Sequence, residues 1–175
     1  MGWQCSYIGS TEERIMNKEE IYSFLNEKGI WYEIREHKAV YNMNELLELH
    51  LPYPEADAKN LFVRDDKKKN YYLITVKGDK RVDLKEFRKE KGTRQLSFAS
   101  AEDLAEILRL TPGSVTPFGL LNDDSIRVIF FVDRDLIDGL IACHPNDNTA
   151  TVWLKCKDLI SIIREHGNEV REEEI

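Results

Sequence analysis

Three short apolar runs constrain the fold of this chain more than any other feature. Two of them, residues 58–63 and 71–76, flank the polar stretch 65–70, and this pattern predicts a β-hairpin whose tip is longer than a tight two-residue turn. The third, residues 126–132, is apolar apart from Arg127 and predicts a central strand buried on both faces. A chain that must bury these runs is predicted to fold around a β-sheet.

The other periodicities predict helices at irregular intervals between the strands. Five segments have a helical apolar face or a capping pattern at their start: residues 17–29, 42–49, 84–87, 100–108 and 157–166. Alternating residues predict two further strands at 31–36 and 149–154, and residues 136–142 fit either a short helix or a strand. Since no βαβ unit repeats, the predicted class is α+β.

The length of 175 residues is enough for one well-buried core and predicts a single domain. We expect this domain to span residues 16–167. Residues 1–15 show no clear periodicity, so they are interpreted as an N-terminal extension, a mobile tail or the product of a mis-assigned start. Residues 168–175 are predicted to be an acidic C-terminal tail, frayed over 169–174.

Composition excludes several classes of protein. With 42% hydrophobic and 33% charged residues the chain is of the ordinary globular kind, and its longest apolar runs are far shorter than the roughly 20 residues of a membrane helix. Residues 1–15 lack the pattern of a secretory signal, so we expect a cytoplasmic protein. Cys5, Cys143 and Cys156 cannot all pair and show no C-x-x-C spacing, which argues against a disulfide framework or a zinc site.

The net charge of −7 is unevenly distributed along the chain. Residues 59–94 contain 13 Lys/Arg and 6 Asp/Glu, whereas the remainder contains 12 and 26. A basic segment in an acidic chain predicts a surface that faces phosphates. It is equally consistent with solvated faces of a hairpin and a helix, or with an unrelated domain that binds an acidic partner.

Familiar catalytic motifs are absent from the sequence. There is no dinucleotide-binding or P-loop glycine pattern, no Gly-x-Ser-x-Gly elbow and no pair of histidines at metal-binding spacing. Cys143 beside His144 suggests a nucleophile and its base, but neighbours on an extended segment point to opposite faces. We therefore interpret Cys143 as a core residue.

The residues that remain offer binding and proton-transfer groups. Lys59, at the start of an apolar strand, could contact a phosphate or polarise an ester carbonyl, or simply end the strand in solvent. The loop Gly113–Pro117 lets backbone approach a ligand at Gly113, or is a structural turn. His144 could exchange protons near neutrality or be structural, and Asn148 could bind substrate or form a turn.

Three strings carry these residues in a fixed order: Lys59-Asn-Leu-Phe, Gly113-Ser-Val-Thr-Pro and His144-Pro-Asn-Asp-Asn-Thr-Ala-Thr-Val. In this order the chain resembles the YbaK/prolyl-tRNA editing domain family over residues 16–167. The likeness is closest to the branch called PrdX or ProXp-ala, which removes alanine from tRNA(Pro). The resemblance implies a compact domain in which helices flank a curved mixed β-sheet.

The resemblance also implies a function and a set of site residues. It implies a hydrolase that cleaves the ester of mischarged Ala-tRNA(Pro), with water as the attacking group and without metal or cofactor. The absence of a protein nucleophile fits this chemistry, which needs groups that orient the ester and stabilise charge. Residues matching the family's functional positions are Lys59, Asn60, the loop residues Gly113, Ser114, Val115 and Pro117, and His144. Implied partners are the acceptor end of tRNA(Pro) and, beside it, prolyl-tRNA synthetase or an elongation factor.

One departure from the family's pattern affects specificity. Where the family has His-Pro-Ala-Val, an aromatic residue and a threonine, this chain has His37-Lys-Ala-Val-Tyr-Asn42. Asn42 could contact the substrate or only cap a helix. Deacylation of Cys-tRNA(Pro) or of another small mischarged amino acid therefore remains an alternative, as does a non-catalytic module that binds tRNA or a synthetase.

Overall fold

The computed structural model describes residues 15–175, and the helices there follow the predicted pattern. Within this range five α-helices are present: α1 Lys18–Glu27, α2 Met43–Glu48, α3 Leu84–Lys91, α4 Ala101–Ile107 and α5 Cys156–His166. Side-chain oxygens cap the first four helices: those of Asn17, Asn42, Asp83 and Ser100. The five predicted helices are thus confirmed. The predicted extension 1–15 lies, apart from Ile15, outside the described residues.

Eight strands of the described chain form two sheets. They are β1 Tyr32–Glu36, β2 Ala58–Asp65, β3 Tyr71–Lys77, β4 Leu96–Phe98, β5 Val128–Asp133, β6 Leu140–Cys143, β7 Ala150–Lys155 and β8 Val170–Glu173. An antiparallel sheet has the order β1-β7-β6, and a mixed sheet has the order β4-β2-β3-β5-β8. The predicted hairpin is confirmed as β2 and β3, and the α+β class is confirmed.

The two faces of the five-stranded sheet are buried against different layers. Alternate side chains of β3 divide between them: Tyr71 and Leu73 join the larger core with β6, β7 and α5, while Tyr72, Ile74 and Val76 pack with Phe87 of α3. Both faces of β3 are therefore covered, and all its residues but the last are buried. This is why the predicted strand shows continuous apolar character instead of alternation.

The prediction that residues 169–174 are frayed is wrong. They contain β8, which pairs in parallel with β5 from Val170 to Glu173 and forms one edge of the sheet. Basic groups from two helices accompany its acidic side chains. Lys91 lies 3.1 Å from Glu173, and Arg164 lies 3.2 Å from Glu172. The acidic composition suggested a solvated tail. Strand pairing and these ion pairs instead hold residues 170–173 against the sheet, and neither can be read from local composition.

Residue 168 anchors this strand to the core. Buried Asn168 donates hydrogen bonds from Nδ2 to the Val128 carbonyl at 3.0 Å and to the Asp123 carboxylate at 2.8 Å. The same carboxylate accepts a bond from the Val128 amide at 2.9 Å.

Among residues 15–175, no helix is long and apolar enough to cross a membrane.

We predict that the amides of β8 that bond to β5 exchange slowly with solvent. Parallel pairing protects hydrogen-bonded amides until the sheet opens, so these amides within Val170–Glu173 should exchange at least tenfold more slowly than in an unstructured peptide of the same sequence. Hydrogen–deuterium exchange measures this, with a synthetic peptide of residues 168–175 as the comparison. Exchange throughout β8 as fast as in that peptide would contradict the assignment.

Candidate active site

A pocket of about 320 Å³ lies beside α2, at the start of β2 and the end of β6. Its wall is built from α2 and the segment before it, the start of β2, the loop 113–115, the end of β6 and one residue of β7. Of the predicted site residues, six line it: Asn42, Lys59, Asn60, Gly113, Val115 and His144. Ser114, Pro117 and Asn148 lie outside the lining. Sequence segments far apart are thus combined in one cavity.

Asn60 is held in this pocket by two hydrogen bonds. Its Oδ1 accepts a bond from the buried Thr75 hydroxyl at 2.6 Å, and its Nδ2 donates to the Val115 carbonyl at 3.4 Å. Because Asn60 faces Thr75 directly in the β2–β3 register, the hairpin itself orients the amide. An amide has two donor hydrogens, so one remains for a ligand.

Lys59 occupies the other side of the strand. Consecutive residues of β2 alternate between faces, and Lys59 shares its face with Leu61 and Val63, which pack with the second core. Its ammonium donates to the Lys80 carbonyl at 2.6 Å, in the turn after β3. The Lys80 ammonium in turn pairs with buried Asp133 at 2.8 Å. Lys59 therefore lies at the edge of the pocket, tied to the β3 turn.

His144 follows β6 and is held in one orientation. Its Nδ1 lies 3.0 Å from the Ala150 carbonyl, an acceptor, so Nδ1 carries the proton and Nε2 has the free lone pair. The Thr116 hydroxyl donates to the His144 carbonyl at 2.7 Å. Burial, and next the nearby His37, lower the pKa of His144 below its usual 6.5, against the opposing effects of Ala150 and Asp147. The ring is therefore neutral at physiological pH.

His37 was not among the predicted site residues, although it begins the motif that precedes α2. Its ring centre lies 6.4 Å from that of His144, and its Nε2 is 2.9 Å from the hydroxyl of Thr151, which lines the pocket. Its Nδ1 lies 2.8 Å from the Lys38 carbonyl, which requires a proton on that nitrogen. The sequence signal for His37 was its place at the start of that motif. Its proximity to His144 arises only when β1 pairs with β7.

The loop around Gly113 is shaped by backbone requirements. Gly113 has φ +89°, and a Cβ there would lie 3.4 Å from Cδ1 of Tyr41. Any other residue would be strained at this φ. Ser114 and Pro117 are buried, and Pro117 begins a 3-10 turn, so both support the loop from behind instead of lining the pocket.

Asn42 and Asn148 both make structural hydrogen bonds. Asn42 caps α2: its Oδ1 accepts from the Glu45 amide at 3.0 Å, and its Nδ2 donates to the Glu45 carboxylate at 2.9 Å. Asn148 donates to the Val40 carbonyl at 3.3 Å and so connects the loop before β7 with the segment before α2. Asn42 remains at the pocket wall, and its amide group is oriented by the helix cap.

Cys143 lines the pocket without the properties of a nucleophile. It is buried, and burial raises the pKa of its thiol well above the usual value, so the thiol stays protonated at neutral pH. In the part of the chain that the structure describes, no group of three or more His, Cys, Asp or Glu side chains is arranged to hold a metal ion. The described pocket thus offers oriented hydrogen-bonding groups around a space for a small ligand.

Asp57 is the one carboxylate in the lining of this pocket, and sequence analysis missed it. It stands two residues before Lys59, directly ahead of β2. Nothing in the sequence distinguished Asp57 from other surface carboxylates, and the basic segment that follows contains six more acidic residues.

Comparisons with known proteins identify the family of this chain. The model of the aminoacyl-tRNA editing domain family matches residues 37–162. The chain is 39% identical to the prolyl-tRNA editing protein ProX of Acetoanaerobium sticklandii, over 86% of this chain and 93% of that protein. It is 31% identical to the mouse prolyl-tRNA synthetase associated domain-containing protein 1, over 87% and 92% of the two chains.

A solved structure shares the fold at low identity. A crystal structure described as a candidate trans-editing enzyme for prolyl-tRNA synthetase superposes with a TM-score of 0.67 and 20% identity, covering 90% of this chain and 96% of that one. At this identity the match supports the architecture alone.

We predict that His144 makes stability depend on pH. The folded state resists protonation of His144, so between pH 6.5 and its lowered pKa the unfolded chain binds more protons and stability falls as pH falls. Chemical denaturation of wild type and His144→Gln between pH 5 and 7.5 should show a steeper loss for wild type. His50→Asn is the control, since His50 is exposed at φ 46° and Asn tolerates that backbone. Parallel pH profiles for wild type and His144→Gln would contradict the prediction.

Proposed function

Because the chain belongs to the aminoacyl-tRNA editing domain family, we propose that it is a prolyl-tRNA editing enzyme that hydrolyses mischarged Ala-tRNA(Pro). The observation that carries the proposal is the convergence of Asn60, the Gly113 loop and His144 on one pocket of about 320 Å³. The proposed reaction is cleavage of the ester between alanine and the terminal ribose, with water as the attacking group.

The chemistry follows from what the pocket contains. The protonated Cys143 thiol leaves no activated nucleophile in the lining, and an aminoacyl ester is reactive enough for a positioned water. The free lone pair on Nε2 of neutral His144 can accept a hydrogen bond from that water or from a ribose hydroxyl. The remaining amide hydrogen of Asn60 can donate to the ester oxygen as charge develops.

Lys59 supplies positive charge at the rim. In the proposed complex its ammonium exchanges the Lys80 carbonyl for a substrate oxygen, either the ester carbonyl or the terminal phosphate. Either role needs the charge at this position, because neutral groups bind an anionic or developing anionic oxygen more weakly.

Amino-acid preference is proposed from size. An extra methylene contributes only about 1–3 kcal/mol in an apolar pocket, so editing sites discriminate best by excluding larger side chains. The branched aliphatic side chains of the wall are those of Val40, Leu46, Leu51 and Val115. We propose that these side chains admit alanine and exclude proline. Work beside prolyl-tRNA synthetase belongs to the same proposal and is supported by the name of the mouse relative. Cytoplasmic location is the expectation from the sequence and is part of the same proposal.

The basic residues nearest the pocket are proposed to receive the acceptor strand. Besides Lys59, eight basic residues in the segment 59–94 make no ion pair with a described residue: Lys67, Lys68, Lys69, Lys77, Arg81, Lys85, Arg88 and Lys89. Lys77 faces the pocket residue Ala58 across the β2–β3 ladder, and Arg81 follows the residue that binds Lys59. We propose that these two side chains bind phosphates next to the bound ester.

We predict that the purified protein deacylates Ala-tRNA(Pro) and that Lys59→Ala lowers kcat/KM at least a hundredfold, as expected for loss of a charged group that acts on the transition state. The assay follows release of labelled alanine. Correctly charged Pro-tRNA(Pro) and Ala-tRNA(Ala), and mischarged Cys-tRNA(Pro), are tested in parallel with the matching labelled amino acid. Lys28→Ala, which removes an ammonium from the end of α1, is the matched control and should be fully active.

Each outcome has a defined meaning. Alanine that persists on tRNA(Pro) while cysteine is removed would reassign the substrate. Binding of tRNA without any deacylation would replace the enzyme with a binding module. Full activity of Lys59→Ala would remove Lys59 from the site.

We also predict that Lys77→Ala with Arg81→Ala weakens tRNA binding without affecting the small substrate alanyl-adenosine. Losing two phosphate contacts should reduce the slope of log K against log salt concentration by about 1.5. Binding titrations of the double variant and of wild type between roughly 50 and 200 mM salt measure this slope, and hydrolysis of alanyl-adenosine is the control. A salt slope equal to that of wild type would contradict the prediction.

A further inference from the structure

Asp57 is a pocket residue whose side chain has no role in the arrangement described so far. It is partly buried and is the one carboxylate among the lining residues. Within residues 15–175 its carboxylate accepts no hydrogen bond and has no basic group within 4 Å. The nearest lysine in sequence, Lys59, binds the Lys80 carbonyl instead. Other buried carboxylates of the described chain, such as Asp123 and Asp133, are satisfied by several donors.

The backbone of Asp57 is held rigidly. Its amide donates to the Pro54 carbonyl at 3.3 Å, and its carbonyl accepts from the Gly78 amide at 2.8 Å. A Cβ at Gly78 would lie 3.1 Å from the Cβ of Asp57, so glycine leaves the space that this side chain occupies. The carboxylate is therefore presented from a fixed position between a 3-10 turn, Pro54–Ala56, and the start of β2.

An unpaired carboxylate in this position favours a cation. Burial, with a further contribution from Glu55, raises the pKa of Asp57 above its ordinary value, because the charged form has lost water without gaining a partner. A bound cation would offset this loss, and partial burial would strengthen the attraction. The ligand proposed for this pocket carries such a cation: the α-ammonium group of an aminoacyl ester.

We propose that Asp57 binds the α-ammonium group of the aminoacyl ester and thereby restricts the pocket to substrates with a free amino group. The inference rests on the proposed function and deepens it by defining the substrate class. Free aminoacyl esters of small amino acids are accepted, whereas esters whose nitrogen is acylated, as in peptidyl-tRNA, lose the ion pair and are spared.

Binding of non-hydrolysable analogues tests the ion pair without turnover. The probes are adenosine carrying 3′-linked alanine through an amide, and the same compound acetylated on the α-nitrogen. Wild type should bind the free amine about tenfold or more tightly than the acetylated form, as for a charge-assisted hydrogen bond. Asp57→Asn should bind both about equally, and calorimetry measures the four dissociation constants.

A matched control separates the carboxylate at this position from local charge. Glu55→Gln removes a negative charge two residues away on an exposed side chain outside the pocket lining, and should retain the preference for the free amine. Thermal melts of both variants show that the fold is intact, which is expected because the Asp57 side chain makes no hydrogen bond to the described chain. An Asp57→Asn variant that keeps the full preference overturns the proposal.

Kinetics distinguish this role from general-base catalysis. With Ala-tRNA(Pro) and N-acetyl-Ala-tRNA(Pro) as substrates, Asp57→Asn should lower kcat/KM about tenfold for the first, mainly through KM, and leave the second unchanged. Equal losses on both substrates, with a changed pH profile of kcat, would make Asp57 a base and overturn the inference. If wild type cleaves neither ester but prefers the free amine in binding, the proposed function fails while the ammonium site stands.

Discussion

The pairing of β2 with β3 is the interaction on which the pocket depends. Their register places Asn60 opposite Thr75 and Lys59 opposite Val76. A slip of one residue would exchange the two faces of the strand, turning Asn60 towards α3 and burying Lys59 in the larger core. The bond between Thr75 and Asn60, at 2.6 Å, both depends on this register and favours it. The orientation of the Asn60 amide and the packing of the sheet therefore both depend on the β2–β3 register.

Hydrogen bonds between loops complete the pocket around this hairpin. The Val115 carbonyl accepts from Asn60, and the Thr116 hydroxyl donates to the carbonyl of His144. Asn148 connects the loop before β7 with Val40. Each of these contacts joins segments more than 25 residues apart, with separations of 55, 28 and 108 residues. Few polar side chains line the pocket, and hydrogen bonds behind them hold the loops on which they lie.

Local features of the sequence were good predictors of local structure. The capping pair Ser100 and Asp103 correctly marked the start of a helix, and the apolar runs correctly marked the hairpin. For Asn42 the sequence left two roles open, a helix cap or a substrate contact. The structure shows the cap, with both polar ends of the side chain bonded to Glu45. The prediction for the acidic run at 169–174 was wrong, because the run pairs with β5 and its charges are balanced by Arg164 of the preceding helix and by Lys91, which is distant in sequence.

The sequence by itself determined the five helices, the β2–β3 hairpin, the α+β class and the motifs that mark the family, because capping, periodicity and motif order are properties of neighbouring residues. Tertiary structure decided which of the marked residues line the pocket. It put Asn60 inside the pocket and tied Lys59 to Lys80 at its rim, set the tautomer of His144, and left Asp57 without a partner. These outcomes depend on strand register and burial, which arise only when distant segments pack together.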